Sequence, residues 1–203
     1  NLNLEKVDTK QFEEPWWFVT DFEMKKECLE NFLTLNFDGI NYKAEIYLNG
    51  TKLADTIDVV NTFRTFSFPV TDYIKEGNNR LAVLIYPPRA GDFSTGFVDW
   101  NPTPPDNNMG IWREVFLSVS KGVSIIHPFV KPKINFCDKS KASVAVSAEL
   151  RNDSKKNVKG LLKGKIGDVV FEKEVELKEN ETLKVDFCPK EFPQLNFSDA
   201  KLW

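Results

Sequence analysis

One long loop gathers most of the side chains of this 203-residue chain that could do chemistry. It runs from Gly96 to Arg113 and combines tryptophans, aspartates and asparagines without a helix or strand period. Indole rings stack on the apolar C–H face of a pyranose, while carboxylates and amides hydrogen-bond its hydroxyls. Pro102, Pro104 and Pro105 stiffen the loop, which lowers the entropy lost on binding. The loop is therefore predicted to hold a sugar, and a structural cap on a β-sandwich is the alternative.

The charge and hydrophobicity of the sequence limit the kinds of partner that it is expected to bind. The chain has 27 Lys and Arg against 30 Asp and Glu, a formal net charge of −3, and its basic residues are scattered rather than clustered. Neither a nucleic-acid footprint nor an anionic membrane surface is indicated. No apolar run approaches the ~20 residues that span a bilayer. We therefore expect a carbohydrate partner, with no nucleic acid and no membrane.

Few residues could carry catalysis or hold a metal. The single histidine, His127, and the lack of HExxH or CxxC motifs leave little for a zinc site or a Ser-His-Asp triad. Cys28, Cys137 and Cys188 are far apart and odd in number, so we expect small buried side chains and at most one disulfide. We expect no catalytic residue, no metal and no cofactor in this sequence.

An all-β scaffold is predicted to position the loop. Apolar and polar residues alternate with period two, and Val, Ile, Phe and Thr are frequent, which indicates strands. Asn49-Gly50 fits a type I′ turn, so 43–48 should pair with 52–58 as a hairpin. The nearly continuous apolar run at 80–86 is typical of a central strand. These patterns indicate a jelly-roll β-sandwich whose end loops form the binding surface.

The character of the sequence changes near Gly122. Aromatic residues become rarer, lysines become more frequent, and strand patterns recur at roughly ten-residue spacing, as in an immunoglobulin-like sandwich. We therefore predict a jelly-roll domain over 1–122 and an immunoglobulin-like domain over 123–203. The segment 197–203 shows no closing strand, so we expect the second domain to be truncated at its C-terminal end.

Five motifs occur in a family-specific order. They are Pro15–Glu23, Leu35–Ile40, Ala44–Gly50, Gly110–Arg113 and Ala200–Trp203. Together they resemble the N-terminal part of glycoside hydrolase family 2, which includes β-galactosidases, β-glucuronidases, β-mannosidases and exo-β-glucosaminidases. The resemblance implies a galactose-binding-like jelly roll called the sugar-binding domain, an immunoglobulin-like second domain and then a TIM barrel. In the family both catalytic glutamates lie on that barrel, which is missing from this sequence.

The resemblance also implies substrate-binding residues in the long loop. Residues 98–102 resemble the Asp-Trp-Gly-Pro stretch of β-mannosidase-like members, in which this loop reaches over the barrel mouth. By that likeness Asp99 and Trp100 would bind the terminal sugar, next to Asn101, which replaces the glycine of many members. The longer insert up to Met109 is most similar to the exo-β-glucosaminidase branch. There a carboxylate such as Asp99 or Asp106 would attract a substrate ammonium.

Four further aromatic and basic residues are expected to be structural. Trp112 and Arg113 belong to the family signature. We expect Arg113 to hold the loop against the sheet through backbone carbonyls or a carboxylate, rather than to touch sugar. Trp16 and Trp17 are expected in core or interdomain packing.

The resemblance thus predicts a non-catalytic N-terminal fragment of a family 2 exo-acting glycoside hydrolase. The parent would be a retaining β-glycosidase of the β-glucosaminidase, β-mannosidase or β-galactosidase type. A periplasmic or extracellular location is favoured over the cytoplasm, and the parent could form a homo-oligomer. Two alternatives stay open: a free-standing carbohydrate-binding module that uses the same loop, and a purely structural scaffold.

Overall fold

A computed structural model describes residues 6–94, 100 and 103–201. Strands dominate, with a few short helical turns between them, so the predicted all-β class is confirmed. No helix in the described ranges is long and apolar enough to cross a membrane. The chain divides into two compact units, Asn1–Val119 and Ser120–Trp203. We describe each unit by itself.

The first unit is a sandwich of antiparallel strands. In chain order its strands are β1 (Trp16–Met24), β2 (Phe32–Phe37), β3 (Ile40–Asn41), β4 (Lys43–Leu48), β5 (Thr51–Ala54), β6 (Phe66–Pro69), β7 (Gly77–Tyr86), β8 (Gly110–Ile111) and β9 (Val115–Ser120). One sheet has the order β1-β7-β4-β5, a second has the order β6-β2-β9, and β3 pairs with β8. A short helix, α1 (Lys26–Leu29), follows β1, and 3-10 turns cover Thr9–Glu13 and Thr71–Tyr73.

The core of the first unit lies between its two larger sheets. Strand β4 shows how the sequence builds it, because Ala44, Ile46 and Leu48 are buried while the alternate residues point outwards. These side chains pack with Phe37 of β2 and Val83 of β7 in one hydrophobic cluster. Burying a side chain of this size contributes about 1.5–3 kcal/mol, so the cluster fixes which face of each strand is exposed.

The predicted hairpin forms around Asn49 and Gly50. Their φ angles of 51° and 84° are those that a type I′ turn requires, and Leu48 pairs with Thr51. Its second strand is shorter than the predicted 52–58, because the chain turns at Asp55. The Asp55 carboxylate accepts a hydrogen bond from the backbone N–H of Ile57 at 2.8 Å. An aspartate that bonds the backbone two residues ahead favours a turn over a continued strand.

The second unit contains a four-stranded and a two-stranded sheet. Its strands are β10 (Val123–Ile134), β11 (Ala142–Asn152), β12 (Val158–Ile166), β13 (Val169–Leu177), β14 (Thr182–Phe187) and β15 (Asn196–Phe197). The larger sheet has the order β10-β11-β14, with β15 added on β11, and β12 pairs with β13. Cross-strand ion pairs join Lys159 to Glu176 at 3.1 Å and Lys163 to Glu172 at 3.3 Å. The core of this unit consists of Leu150, Phe171, Leu177, Val185, Phe187 and Leu195.

The cysteines do not have the predicted environment. Cys137 and Cys188 are exposed, Cys28 is half-buried, and all three thiols are free. The prediction of small buried side chains is therefore wrong for two of the three. The physical reason is their position: Cys137 lies in a turn after β10, where its N–H donates to the side chain of Asn135, and Cys188 directly follows β14.

Candidate functional site

The described end of the long loop lines a cavity of about 410 Å³ in the first unit. The wall combines aromatic rings with amide, hydroxyl and carboxylate groups. Its lining residues are Asn41, Thr62, Phe63, Asp106, Asn108, Met109, Gly110, Ile111 and Trp112. The β3–β8 pair provides the framework, since Asn41 is opposite Gly110 and Ile40 is opposite Ile111.

Asn41 fastens the loop to β3. Its side chain is only 1% exposed, and its Nδ2 donates to the backbone carbonyls of Asn107 at 3.2 Å and Asn108 at 2.9 Å. Its Oδ1 accepts a hydrogen bond from the Thr62 hydroxyl at 2.7 Å. A buried amide left without such partners would cost about 1–3 kcal/mol, so this arrangement strongly favours one position of the loop.

Asp106 shapes the loop and also faces the cavity. Its Oδ1 accepts a hydrogen bond from the N–H of Asn108 at 3.0 Å, and its carbonyl accepts from the N–H of Met109 at 2.9 Å. Asn107 and Asn108 have φ angles of 51° and 55°, a conformation that asparagine tolerates better than most residues. Within the described ranges, Oδ2 of Asp106 accepts no hydrogen bond, which leaves it available to a ligand.

Trp112 is held at the edge of the cavity by two backbone groups. Its Nε1 donates to the carbonyl of Thr62 at 3.0 Å, and its N–H donates to the carbonyl of Gly39 at 3.2 Å. A Cβ atom on residue 39 would lie 2.5 Å from Nε1 of the indole, so this close approach requires glycine. One side of the ring remains exposed to solvent.

Arg113 stacks on its neighbour. Its guanidinium carbon lies 4.5 Å from the centroid of the Trp112 ring, within the range of a cation–π interaction. We expected a hydrogen bond to a backbone carbonyl or a carboxylate. In the part of the chain that the structure describes, Arg113 makes neither, and the stacking is the contact observed.

Two phenylalanines that the sequence analysis missed extend the aromatic wall. Phe63 packs edge-to-face on Trp112 with ring centroids 6.0 Å apart, and on Phe93 at 6.5 Å. Phe63 is 62% exposed, and Phe93 is also exposed. Phe63 lies three residues before Phe66 and is out of phase with the alternating pair Phe66 and Phe68, so no local pattern marks it, and β6 begins only at Phe66.

The other predicted binding residues are partly outside the described structure. Asp99 and Asn101 lie outside the described residues, and Trp100, which is described, is 86% exposed. Of the predicted set, the structure brings together Asp106 and Trp112 at the cavity, with Arg113 stacked behind the indole. Among residues 6–94, 100 and 103–201, no group of three or more His, Cys, Asp or Glu could hold a metal ion.

The chemistry of the cavity is that of binding. An aromatic wall offers a surface for stacking, and the Asp106 carboxylate and the Asn108 amide offer polar contacts to hydroxyls. Glycoside hydrolysis requires two carboxyl groups about 5–10 Å apart. Within the described lining, Asp106 supplies the single carboxyl group.

Comparison with known proteins identifies the class of the chain. Residues 1–93 match the family model for the glycosyl hydrolase 2 galactose-binding domain-like region. An exo-β-D-glucosaminidase of Streptomyces avermitilis is 29% identical over 204 residues, which is 100% of this chain and 22% of that protein. An exo-β-D-glucosaminidase of Amycolatopsis orientalis is 32% identical over 92% of this chain and 18% of its own length.

Solved structures show the same similarity to exo-acting family 2 proteins. The crystal structure of Amycolatopsis orientalis exo-chitosanase CsxA superposes with a TM-score of 0.85 and 32% identity, covering 91% of this chain and 22% of that chain. The chain is thus all-β, and its first sandwich is of the galactose-binding-like class. The chain belongs to glycoside hydrolase family 2, as its ordered motifs predicted. It spans about a fifth of the length of the curated relatives named above.

Proposed function

We propose that this chain is the non-catalytic N-terminal part of an exo-acting family 2 glycosidase and supplies loop residues to its terminal-sugar subsite. The catalytic glutamates would lie on a TIM barrel outside these residues. The observation that carries the proposal is the cavity at the end of the 96–113 loop, which both Asp106 and Trp112 line. We propose domain limits of 1–122 for the jelly-roll domain and 123–203 for the immunoglobulin-like domain.

We further propose that the terminal sugar is an amino sugar. The two relatives described above are exo-β-D-glucosaminidases. A protonated sugar amine forms its strongest hydrogen bonds with a carboxylate, and Oδ2 of Asp106, which accepts no hydrogen bond from the described residues, supports such a contact. Asp99 is proposed as a second carboxylate, with Asn101 next to it. The exposed indole of Trp100 would stack on the pyranose face.

The exposure of Trp100 favours binding over a structural cap. A tryptophan that anchors a loop to a sandwich buries most of its ring, because burial is what stabilises the anchor. Trp100 is 86% exposed. Phe63, which lines the loop cavity, and Phe93, which packs against Phe63, are also exposed.

Kinetics of the complete glycosidase test the proposed role of Asp106. In Asp106→Asn the side-chain oxygen can still accept from Asn108, but the charge is lost. We expect kcat/KM for an aryl glucosaminide to fall about tenfold to a hundredfold, or about 1.5–3 kcal/mol, with little change for the matching glucoside. Asp72→Asn, at an exposed aspartate of the 3-10 turn 71–73, is the control. Unchanged kcat/KM in Asp106→Asn contradicts the proposal.

Experiments on the 203-residue chain separate the two alternatives. Part of a subsite binds glucosamine weakly, so calorimetry should give a Kd of about 10 mM or more, and chromogenic glycosides should not be hydrolysed. Micromolar binding at the loop cavity would favour a free-standing binding module. Robust turnover by the pure chain would contradict the non-catalytic assignment.

A further inference from the structure

The outer face of the β1-β7-β4-β5 sheet carries aromatic rings. The inner positions of β4 and β7 are in the core, so the alternate positions point away from it. In register across the sheet, Trp17 pairs with Leu84, and Leu84 pairs with Glu45. In the next row, Val19 pairs with Ala82, and Ala82 pairs with Tyr47. We call the surface formed by Trp17, Tyr47 and Tyr86 the aromatic face.

Trp17 has no place in the core of the first unit. It is 54% exposed, and its ring centroid lies 5.6 Å from that of Tyr47 at an interplanar angle of 53°. Of the two roles expected for Trp17, core packing is therefore wrong, and interdomain packing stays a prediction. Its neighbour Trp16 is also exposed, stacks on Phe12 and donates its indole N–H to the carbonyl of Gln11. Trp17, next to Tyr47, thus exposes aromatic surface on the outer face of the sheet.

A carboxylate fixes the polar ends of the tyrosine rings. Glu45 accepts hydrogen bonds from the hydroxyls of Tyr47 and Tyr86, the latter at 2.9 Å, and forms an ion pair with Lys52 at 2.9 Å. The Tyr47 hydroxyl, the Lys52 ammonium and the Tyr86 hydroxyl together lower the pKa of Glu45 from 4.5 to about 2. Glu45 thus remains an anion at ordinary pH, and the two rings stay in fixed positions.

The remaining hydrogen-bonding capacity of this cluster matches a hydroxyl-rich ligand. Each tyrosine hydroxyl uses its hydrogen on Glu45, which leaves oxygen lone pairs that accept from a ligand hydroxyl. The Lys52 ammonium has three N–H groups, and further donors remain after its contact with Glu45. Acceptors and donors therefore border the exposed part of the Trp17 ring, and a pyranose can use both a ring to stack on and polar groups at its rim.

The charged side chains near the aromatic face form ion pairs within the protein. Glu45 is paired with Lys52, and the Asp21 carboxylate receives two hydrogen bonds from Arg80, at 2.7 and 2.8 Å. A polyanion or a polycation gains little from such a surface, because its charges would meet groups that are already neutralised. An uncharged or weakly charged chain that binds through ring stacking and hydroxyl contacts suits it better.

We propose that the aromatic face binds a β-linked oligosaccharide by stacking a pyranose on Trp17, with the tyrosine hydroxyls and Lys52 contacting the sugar rim. The class of ligand rests on the proposed function, whereas the surface consists of other residues than the loop cavity. Since the nearby charges are paired, the face binds cellotetraose and the glucosamine tetramer with similar affinity. A carboxylate-lined loop cavity would instead prefer the amino sugar.

NMR titration of the 203-residue chain with cellotetraose and with the glucosamine tetramer tests this proposal. We expect shifts of the Trp17 indole N–H and of the Tyr47 backbone, with a Kd of about 1 mM for each tetramer. Trp17→Ala should weaken both affinities about tenfold. Phe136→Ala, which removes an exposed phenylalanine from the second unit, should leave both affinities unchanged.

The outcomes separate this proposal from the loop site. Shifts confined to the Trp100 and Trp112 indoles would overturn the aromatic face and leave the proposed function intact. Shifts at Trp17 together with normal kinetics in the Asp106→Asn glycosidase would support the face and contradict the loop site. No shift at Trp17 with about 10 mM of either tetramer would overturn the proposal. Interdomain packing of Trp17 in the complete protein would also overturn the proposal. Acrylamide quenching detects such packing, because a buried Trp17 indole is shielded from the quencher.

Discussion

The side-chain amide of Asn41 donates a hydrogen bond to the backbone carbonyl of Asn108 at 2.9 Å, joining residues that are 67 positions apart in the chain. A residue of the short strand β3 thereby determines where the end of the long loop lies. The same amide also bonds Asn107 and Thr62, so the cavity wall and the sheet framework share one buried polar group.

Asn41→Ala should destabilise the first unit. The carbonyls of Asn107 and Asn108 and the hydroxyl of Thr62 each lose a buried partner, so the free energy of unfolding should fall by about 2–3 kcal/mol. Urea denaturation followed by fluorescence measures this change. Asn78→Ala, at an exposed position of β7, should change it by less than about 0.5 kcal/mol. Equal effects of the two substitutions would contradict the role assigned to Asn41.

Gly39→Ala should displace the indole of Trp112. The added methyl group would lie 2.5 Å from Nε1, so the ring must leave its hydrogen bond with the carbonyl of Thr62. We expect a loss of about 1–3 kcal/mol in the free energy of unfolding, with a red shift of tryptophan emission. In the background Trp112→Phe the smaller ring leaves room for the methyl group, so the cost of Gly39→Ala should shrink. Additive effects in this double-mutant cycle would rule out the clash.

Under the proposed function, Phe63→Ala should weaken substrate binding by the complete protein. Phe63 contacts both Trp112 and Phe93, and its removal would leave the aromatic wall incomplete. We expect kcat/KM to fall about threefold to tenfold, mostly through KM, because stacking on the ground-state sugar is lost. Ile57→Ala removes an exposed apolar side chain from a turn outside the cavity lining and serves as the control. A change in kcat alone would argue against a binding role.

The pH dependence of stability should reveal the Glu45 cluster. The pKa of Glu45 is lowered from 4.5 to about 2 in the folded protein, so its ionised form contributes stability above pH 4.5. That contribution disappears as the pH falls through about 2. The unfolding free energy of the unsubstituted chain should therefore exceed that of Glu45→Gln at pH 6, and the difference should shrink between pH 4.5 and 2. Urea titrations at several pH values measure this trend.

A substitution at a second glutamate tests whether Glu45 causes this pH dependence of stability. Glu76→Gln changes an exposed residue that has no ion pair with the described residues. Its stability relative to the unsubstituted chain should vary much less with pH than that of Glu45→Gln. Parallel curves for the two variants would show that general acid destabilisation, rather than the Tyr47–Glu45–Lys52 contacts, dominates.

Local sequence signals predicted local structure well. The all-β class follows from period-two alternation, and the turn at Asn49-Gly50 follows from residues that tolerate positive φ angles. The early end of β5 was missed because a side-chain hydrogen bond of Asp55 competes with strand continuation. This hydrogen bond depends on the rotamer of one side chain, and the alternation of apolar and polar residues gives no information about that rotamer.

The candidate site depends on distant contacts, so the sequence predicted less of it. Asp106 could be proposed as a binding residue from the composition of the loop and its resemblance to the family, whereas Trp112 was expected to be structural. Asn41 and Thr62 lie in ordinary positions of the sequence, and their importance arises only from their contacts across the fold. Phe63 was missed because its exposure depends on how the whole chain packs.

The ion pairs across β12 and β13 have a consequence for how the second unit behaves at high concentration. Strands at the edge of a two-stranded sheet expose unpaired backbone groups, which can template addition of a strand from another molecule. Lys159 and Lys163 place charged groups along β12, opposite Glu176 and Glu172. Desolvating these charges opposes intermolecular strand pairing, so the lysines act as gatekeepers against aggregation.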